Sequence, residues 1–209
     1  MPVLKIDMHV HTEGSPDAHT RISDLPGIIT AKGLDGIAVT EHNQFNPPSF
    51  SNVIILPGVE ISSAEGHIVA LGVHEIIPRG LSADETIDRI HDQGGIAIVP
   101  HPYDPVCECV KIRNLKVRPD AVETMNADAL SFGISNYLAR RDARKFNLPQ
   151  VGGSDSHIPE SIGDCYTLID AATRSVTDIM SAIREGKTQP GGRATSVMNK
   201  WRKLSYKFK

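Results

Sequence analysis

The chain has 209 residues, of which 40% are hydrophobic and 22% charged, the balance of an ordinary soluble globular protein with enough apolar material for one sizeable core and no need of disulfides. The formal net charge of −3 argues against non-specific nucleic-acid binding by the whole surface, although every charged residue after Glu185 is a lysine or arginine. The three cysteines are an odd number and Cys107 and Cys109 are too close to pair comfortably, which fits a reduced, cytoplasmic compartment. The opening Met-Pro-Val-Leu-Lys does not read as a signal peptide, and no apolar run approaches the ~18 residues of a membrane span.

Strand-like and helix-like segments alternate along the whole length. Apolar and polar residues alternate from Val3, predicting a first strand over Leu4–His9 in which His9 and His11 share a face with Asp7 beside them. A short helix follows over Leu25–Lys32, with Asp24 as N-cap and Gly33 as stop, then strands over Gly36–Thr40, Val53–Glu60 and Ile68–Val73, the last after a turn at Glu65-Gly66. An amphipathic helix spans Ala83–Gln93 behind Ser82, and Ile96–Val99 is a fully apolar strand running into Pro100-His101-Pro102. Ala121–Thr124 reads as strand, Asp128–Phe146 as a long helix with an Arg/Lys-rich outer face, and Gln150–Gly153 as the strand leading to Ser154-Asp155-Ser156-His157. The last strand is Tyr166–Ile169 and the last helix Val176–Glu185, capped by Ser175. Such β-α repeats imply a mainly parallel sheet in one domain, open or closed.

The chemistry lies in where the histidines and carboxylates fall. His9, His11, His42, Glu60, His101, Glu123, Asp155 and His157 each sit at or just past a strand end, which in an αβ barrel forms a single rim. Six of the nine histidines are there or beside it (His67 is the sixth), accompanied by Asp17, Glu60 and Asp155. That set is too large for one four-coordinate ion and about right for two or three. Imidazole with carboxylate suits Zn, Mn or Fe better than Mg or Ca. A carboxylate such as Glu60 can bridge two cations, and a hydroxide between them would attack a phosphate ester in line.

Asp7-Met8-His9-Val10-His11-Thr12, Thr40-Glu41-His42, Gly58-Val59-Glu60-Ile61-Ser62, Gly66-His67, Pro100-His101-Pro102 and Gly153-Ser154-Asp155-Ser156-His157 occur in that order. Together they resemble the polymerase and histidinol phosphatase (PHP) family of metal-dependent phosphoesterases, over residues 1–193, with 194–209 left as a basic C-terminal tail. The resemblance implies an α/β fold, a distorted (β/α)7 TIM-like barrel with a trinuclear metal site at the C-terminal ends of the strands. It implies a first ion held by His9, His11, Glu60 and Asp155, a second shared by Glu60 with His67 and His101, and a third held by Asp17, His42 and His157. His19 is a nearby competitor for the place of Asp17. The stretches His74–Gly95 and Tyr103–Pro119 are short, which leaves the site open. The implied partner is a small phosphorylated metabolite or nucleotide.

Other residues have plainer readings. His91 is structural in its helix, Glu41 and Asp7 support ligands, and Glu123 either reaches the rim or orients a ligand such as His101. Cys107-Glu108-Cys109 lacks the second cysteine pair that would complete a metal site. Glu60, Asp155 and Arg193 are the catalytic candidates, Arg193 because a guanidinium in a turn across the rim could fork onto a phosphate. Residues 200–209 interleave aromatics with cations, a combination that can hold nucleic acid or a membrane surface but more often marks a partly ordered terminus. The rival readings are an accessory barrel of a nucleic-acid-processing complex, contacting RNA or DNA through that tail, and, behind it, an amidohydrolase, which lacks here its mid-barrel lysine.

Overall fold

The computed structural model describes residues 3–206. Its strands are β1 (Val3–Val10), β2 (Gly36–Val39), β3 (Ile54–Ser63), β4 (Gly66–Leu71), β5 (Ile96–Val99), β6 (Ala121–Asn126), β7 (Gln150–Gly153), β8 (Cys165–Asp170) and β9 (Thr188–Gly192). The helices are α1 (Leu25–Ala31), α2 (Ala83–Asp92), α3 (Phe132–Lys145), α4 (Val176–Arg184) and α5 (Val197–Tyr206). One sheet runs β7-β6-β5-β4-β3-β2-β1-β8-β9. Its outer strand β7 turns back on the other end: Gly152 N donates to Thr167 Oγ1 (2.8 Å) and Thr188 Oγ1 donates to the Gln150 carbonyl (2.8 Å). The curl is a nearly closed barrel, as expected.

Two expectations about the sheet are corrected. Among the described residues it has nine strands rather than seven, because β8 lies antiparallel on β1 and the chain returns through α4 to add β9 antiparallel beyond it. It is also mixed rather than mainly parallel. β1-β2, β2-β3, β5-β6 and β6-β7 are parallel, whereas β4 folds back from β3 as a tight hairpin and so runs against β5 as well. The turn at Glu65-Gly66 places Gly66 at φ 138°, a value that glycine adopts freely.

Packing follows the strand period. Leu56 on β3, Val69 and Leu71 on β4, Ile96 and Ile98 on β5, Ala121 on β6 and Val151 on β7 point into the barrel. The end away from the histidines is covered by α4, whose Ile179, Met180, Ala182 and Ile183 join that core, Met180 lying against Gly72 just beyond β4. Outside, α2 buries Ala83, Thr86, Ile87 and Ile90, spaced to share one helical face, against β3–β6. Ile87 and Ile90 each contribute roughly 1.5–3 kcal/mol there. The expected caps hold: Ser82 Oγ accepts from Glu85 N (3.2 Å) and Ser175 Oγ from Asp178 N (3.1 Å). Asp24 makes no side-chain cap, since a short 3₁₀ turn over Ile22–Asp24 leads straight into α1. None of the helices among the described residues is long and apolar enough to cross a membrane.

Candidate metal centre

The site is built on the same inward positions as the core, further along each strand. Leu56 faces inward on β3, so Glu60, four residues on, does too; His67 shares parity with Val69 and Leu71, Glu123 with Ala121, and Asp155 with Val151. On β1 the simple alternation fails. Leu4, Ile6 and Met8 face the core, yet Val10 packs outward with Ile37 and Val39, and the register against β2 slips between Asp7 and Val10. His9 and His11 reach the rim, while Asp7 turns away and accepts from the backbone N–H groups of His9 (3.3 Å), Ser154 (2.8 Å) and Gly163 (2.8 Å). Burial, against those bonds, pushes the Asp7 carboxyl up to about 7.

Glu60 is the hub. Its Oε1 lies 3.4 Å from His9 Nε2, 3.3 Å from His67 Nδ1 and 3.1 Å from His101 Nε2, and its Oε2 lies 3.5 Å from His11 Nε2 and 2.9 Å from His42 Nδ1. Asp155 Oδ1 faces His11 Nε2 (3.4 Å) and His9 Nε2 (3.6 Å). Asp17 Oδ2 lies 3.3 Å from His157 Nε2, and its Oδ1 3.6 Å from His42 Nε2. All nine expected ligand residues are thus brought to one mouth.

The surroundings aim the rings. His9 Nδ1 meets Glu123 Oε1 (3.3 Å), His11 Nδ1 meets Ser15 Oγ (3.2 Å) and His157 Nδ1 meets the Asp155 carbonyl (2.9 Å), which turns each Nε2 inward. Glu123 therefore orients His9 rather than the His101 ring, while its Oε2 accepts from His101 N (2.9 Å). Glu41 accepts from Thr12 N (3.0 Å) and from the Thr12 and Ser15 hydroxyls, pinning the loop that carries Asp17. Gly153 must be small: a Cβ there would fall 2.5 Å from His9 Cβ. His101 (φ 29°) and Asp155 (φ 53°) are left-handed, a strain of roughly 1–3 kcal/mol each that the surrounding bonds hold in place.

Several residues were not legible in the sequence. Asn126 Nδ2 donates both to Glu123 Oε2 (2.9 Å) and to Asp155 Oδ2 (3.1 Å), a clip between two carboxylates. Asp128 and Lys203 line the mouth as well. The one signal for Asn126 was its place at the end of the strand carrying Glu123.

Arg193 is corrected in the other direction. Its side chain is 85% exposed, lies 3.7 Å from Asp164 and does not line the cleft. His19 is not in the cluster; it stacks on Tyr206. His91 pairs with Asp120 at 2.9 Å on the surface. Cys107 lines the cleft without joining a ligand group, burial pushing its thiol up, and Cys109 Sγ sits 3.9 Å from His101 Nδ1.

The electrostatics fit a cationic guest. Burial opposes charge on Glu60 and Asp155, yet the surrounding imidazoles, His9 foremost, hold both carboxyls well below the usual range. Burial also opposes protonation of His42, but Asp17 and Glu60 raise it to about 10; His9 and His101 are raised too. His11, buried beside His157, is pushed down to about 3. His67 Nδ1 and Asp17 Oδ1 are buried with no hydrogen bond. Among the described residues, three groups have donor atoms close enough to share an ion: His9, His11 and Glu60; Glu60, His67 and His101; and His11, His42 and His157. Nitrogen and oxygen donors converging on one volume, two of them orphaned, fit divalent ions.

A barrel bearing such a rim belongs to the metal-dependent hydrolases. Residues 133–188 match the family model described as PHP-associated. An uncharacterised protein of Methanocaldococcus jannaschii is 34% identical over 165 residues, covering 70% of this chain and 95% of that protein. A protein named probable phosphatase from Shewanella frigidimarina is 25% identical over 209 residues, covering 79% and 82%. Among solved structures, a two-domain Bacteroides vulgatus protein containing a predicted PHP-like metal-dependent phosphoesterase matches 92% of this chain at 20% identity and TM-score 0.67; the chain spans 65% of that longer protein. Endonuclease Q bound to a duplex with an abasic lesion matches 92% of this chain and 60% of its own at 13% identity and TM-score 0.73, a likeness of fold alone. The chain belongs to the PHP family of metal-dependent phosphoesterases.

Proposed function

We propose that the chain hydrolyses phosphate esters of small metabolites or nucleotides, using two or three divalent transition-metal ions (Zn, Mn or Fe). The observation that carries this reading is Glu60: one buried carboxylate within 3.5 Å of five imidazoles, at the mouth of a cleft of about 440 Å³. That volume suits a small ligand. His9, His11, Glu60 and Asp155 would hold one ion, Glu60, His67 and His101 a second, and Asp17, His42 and His157 a third. Ions bound there would polarise the phosphoryl group and supply a nucleophile at neutral pH.

The chain's own residues do the rest. Glu123 keeps the proton of His9 on Nδ1 so that Nε2 stays a donor to an ion, and Asn126 fixes the Asp155 carboxylate from behind. The buried floor of Val69, Leu71 and Ile98 excludes water from below. His9→Ala or Asp155→Ala should abolish hydrolysis of an aryl phosphate while the circular dichroism spectrum stays native. Undiminished turnover in both variants would refute the reading.

The nucleic-acid alternative draws on the exposed Trp201 and the basic residues of α5. The expected loosely ordered tail is instead helical over Val197–Tyr206, and two of its lysines are engaged within the chain. Lys207 and Lys209 lie outside the described residues. Salt-dependent RNA or DNA binding lost on deleting residues 200–209 would favour this alternative.

A further inference from the structure

Helix α5 crosses the open side of the cleft. Lys200 Nζ donates to the carbonyls of Asp128 (2.8 Å) and Ala129 (3.1 Å), Arg202 lies 3.6 Å from Glu160, and the Tyr206 ring stacks on His19 at 4.8 Å. Thr195 N donates to the Ala127 carbonyl (2.8 Å), fixing the approach. The helix is therefore tied to both the loop after β6 and the loop after β1 without help from Lys203. Lys203 points inward: its Nζ is 2.7 Å from Asp128 Oδ2 and 3.2 Å from His157 Nδ1.

Among the described residues lining the cleft, Lys203 is the one lysine or arginine; the rest include Asp17, Glu60, Asp128 and Asp155. A doubly charged phosphoryl group entering this acidic mouth needs cationic donors beyond the ions, and a mobile ammonium on a four-carbon stem is such a donor. Its present carboxylate partner is at the rim, so the ammonium can turn from Asp128 to an incoming oxygen by side-chain rotation alone.

We propose that Lys203 is a phosphoryl-binding residue, carried over the metal centre by α5 and taking the place that the sequence assigned to Arg193. This rests on the phosphoesterase reading, and the test separates the two.

Inorganic phosphate binding to the manganese-loaded full chain is measured by calorimetry, with metal content determined on the same samples. Lys203→Gln should weaken phosphate by about tenfold or more, the loss of one charge-assisted hydrogen bond, at unchanged metal content. Lys203→Arg, which keeps the charge, should recover most of that affinity. Arg193→Gln removes an exposed charge outside the cleft without loosening α5 and should change it by less than about twofold.

Wild-type affinity in Lys203→Gln overturns the proposal, as does equal weakening in Arg193→Gln or absence of phosphate binding to the wild type. Loss of an ion in Lys203→Gln also overturns it, in favour of a role in holding His157. If wild-type phosphate binding depends on Lys203 but no phosphate ester is hydrolysed, the binding role stands and the phosphoesterase reading falls.

Discussion

The lower half of the barrel interior is lined by Leu56, Val69, Leu71, Ala121 and Val151; on those same strands the upper half is lined by Glu60, His67 and Glu123, with Asp155 just past the end of β7. The lower set is satisfied by packing alone. The upper set crowds carboxylates and imidazoles into a volume from which water is largely excluded, and it is neutralised only by protons or by metal ions. The scaffold and the reactive centre therefore share one geometry but should fail independently.

The sharpest way to break that comparison is to substitute one residue in each half. Glu60→Ala should lower hydrolysis by at least about a thousandfold and lose bound metal while the protein still folds. Leu71→Ala should instead cost roughly 2–5 kcal/mol in denaturant unfolding, with native metal stoichiometry wherever the protein remains folded. Global unfolding of Glu60→Ala would show that the halves are not separable. Next in size, Glu123→Gln should weaken metal affinity by roughly 10–100-fold through His9, measured by competition with a chromophoric chelator.

The smallest effect is in pH. In the metal-free protein His42 is raised to about 10 by Asp17 and Glu60 against burial, so its folded-state proton stabilises the fold fully below the ordinary value of 6.5. That contribution fades as pH rises through about 10. An ion must displace the same proton, so metal affinity should climb with pH over this range, by up to about tenfold per unit for each proton released. Thermal melts with and without manganese should therefore diverge as pH rises. Parallel curves would show that no such proton is displaced.

What the sequence made legible was local. The Ser82 and Ser175 caps and the apolar strand Ile96–Val99 depend on near neighbours, and each is found as expected. What it hid depends on distant ones. Thr188–Gly192 carries Pro190 and two glycines and reads as loop; it is a strand because it pairs along β8. Helix α5 carries an apolar stripe of Val197, Met198, Trp201 and Leu204 at helical spacing, but all four are exposed, so its position comes from polar ties, Lys200 to the Asp128 carbonyl and Arg202 to Glu160, that no periodicity displays. α3 begins at Phe132 rather than Asp128 because Asn126 Oδ1 takes the Ala129 N–H and Asp128 faces Lys203. The partner of Glu123 is 114 residues away on a strand whose alternation slips, which no periodicity displays.

The backbone clamp at Asp7 has a kinetic consequence. Its two oxygens accept from Ser154 and Gly163, 147 and 156 residues along the chain, and they draw the loop carrying Asp155 and His157 onto the first strand. Contacts of that span raise the cost of loop closure and slow the search for the native pairing. The first imidazoles are translated long before the last carboxylate arrives to neutralise them. A nascent chain stopped short of residue 154 would hold His9, His11, His42, Glu60, His67 and His101 without the clamp that brings β1 under β7, so full coordination is a late event in the life of each molecule.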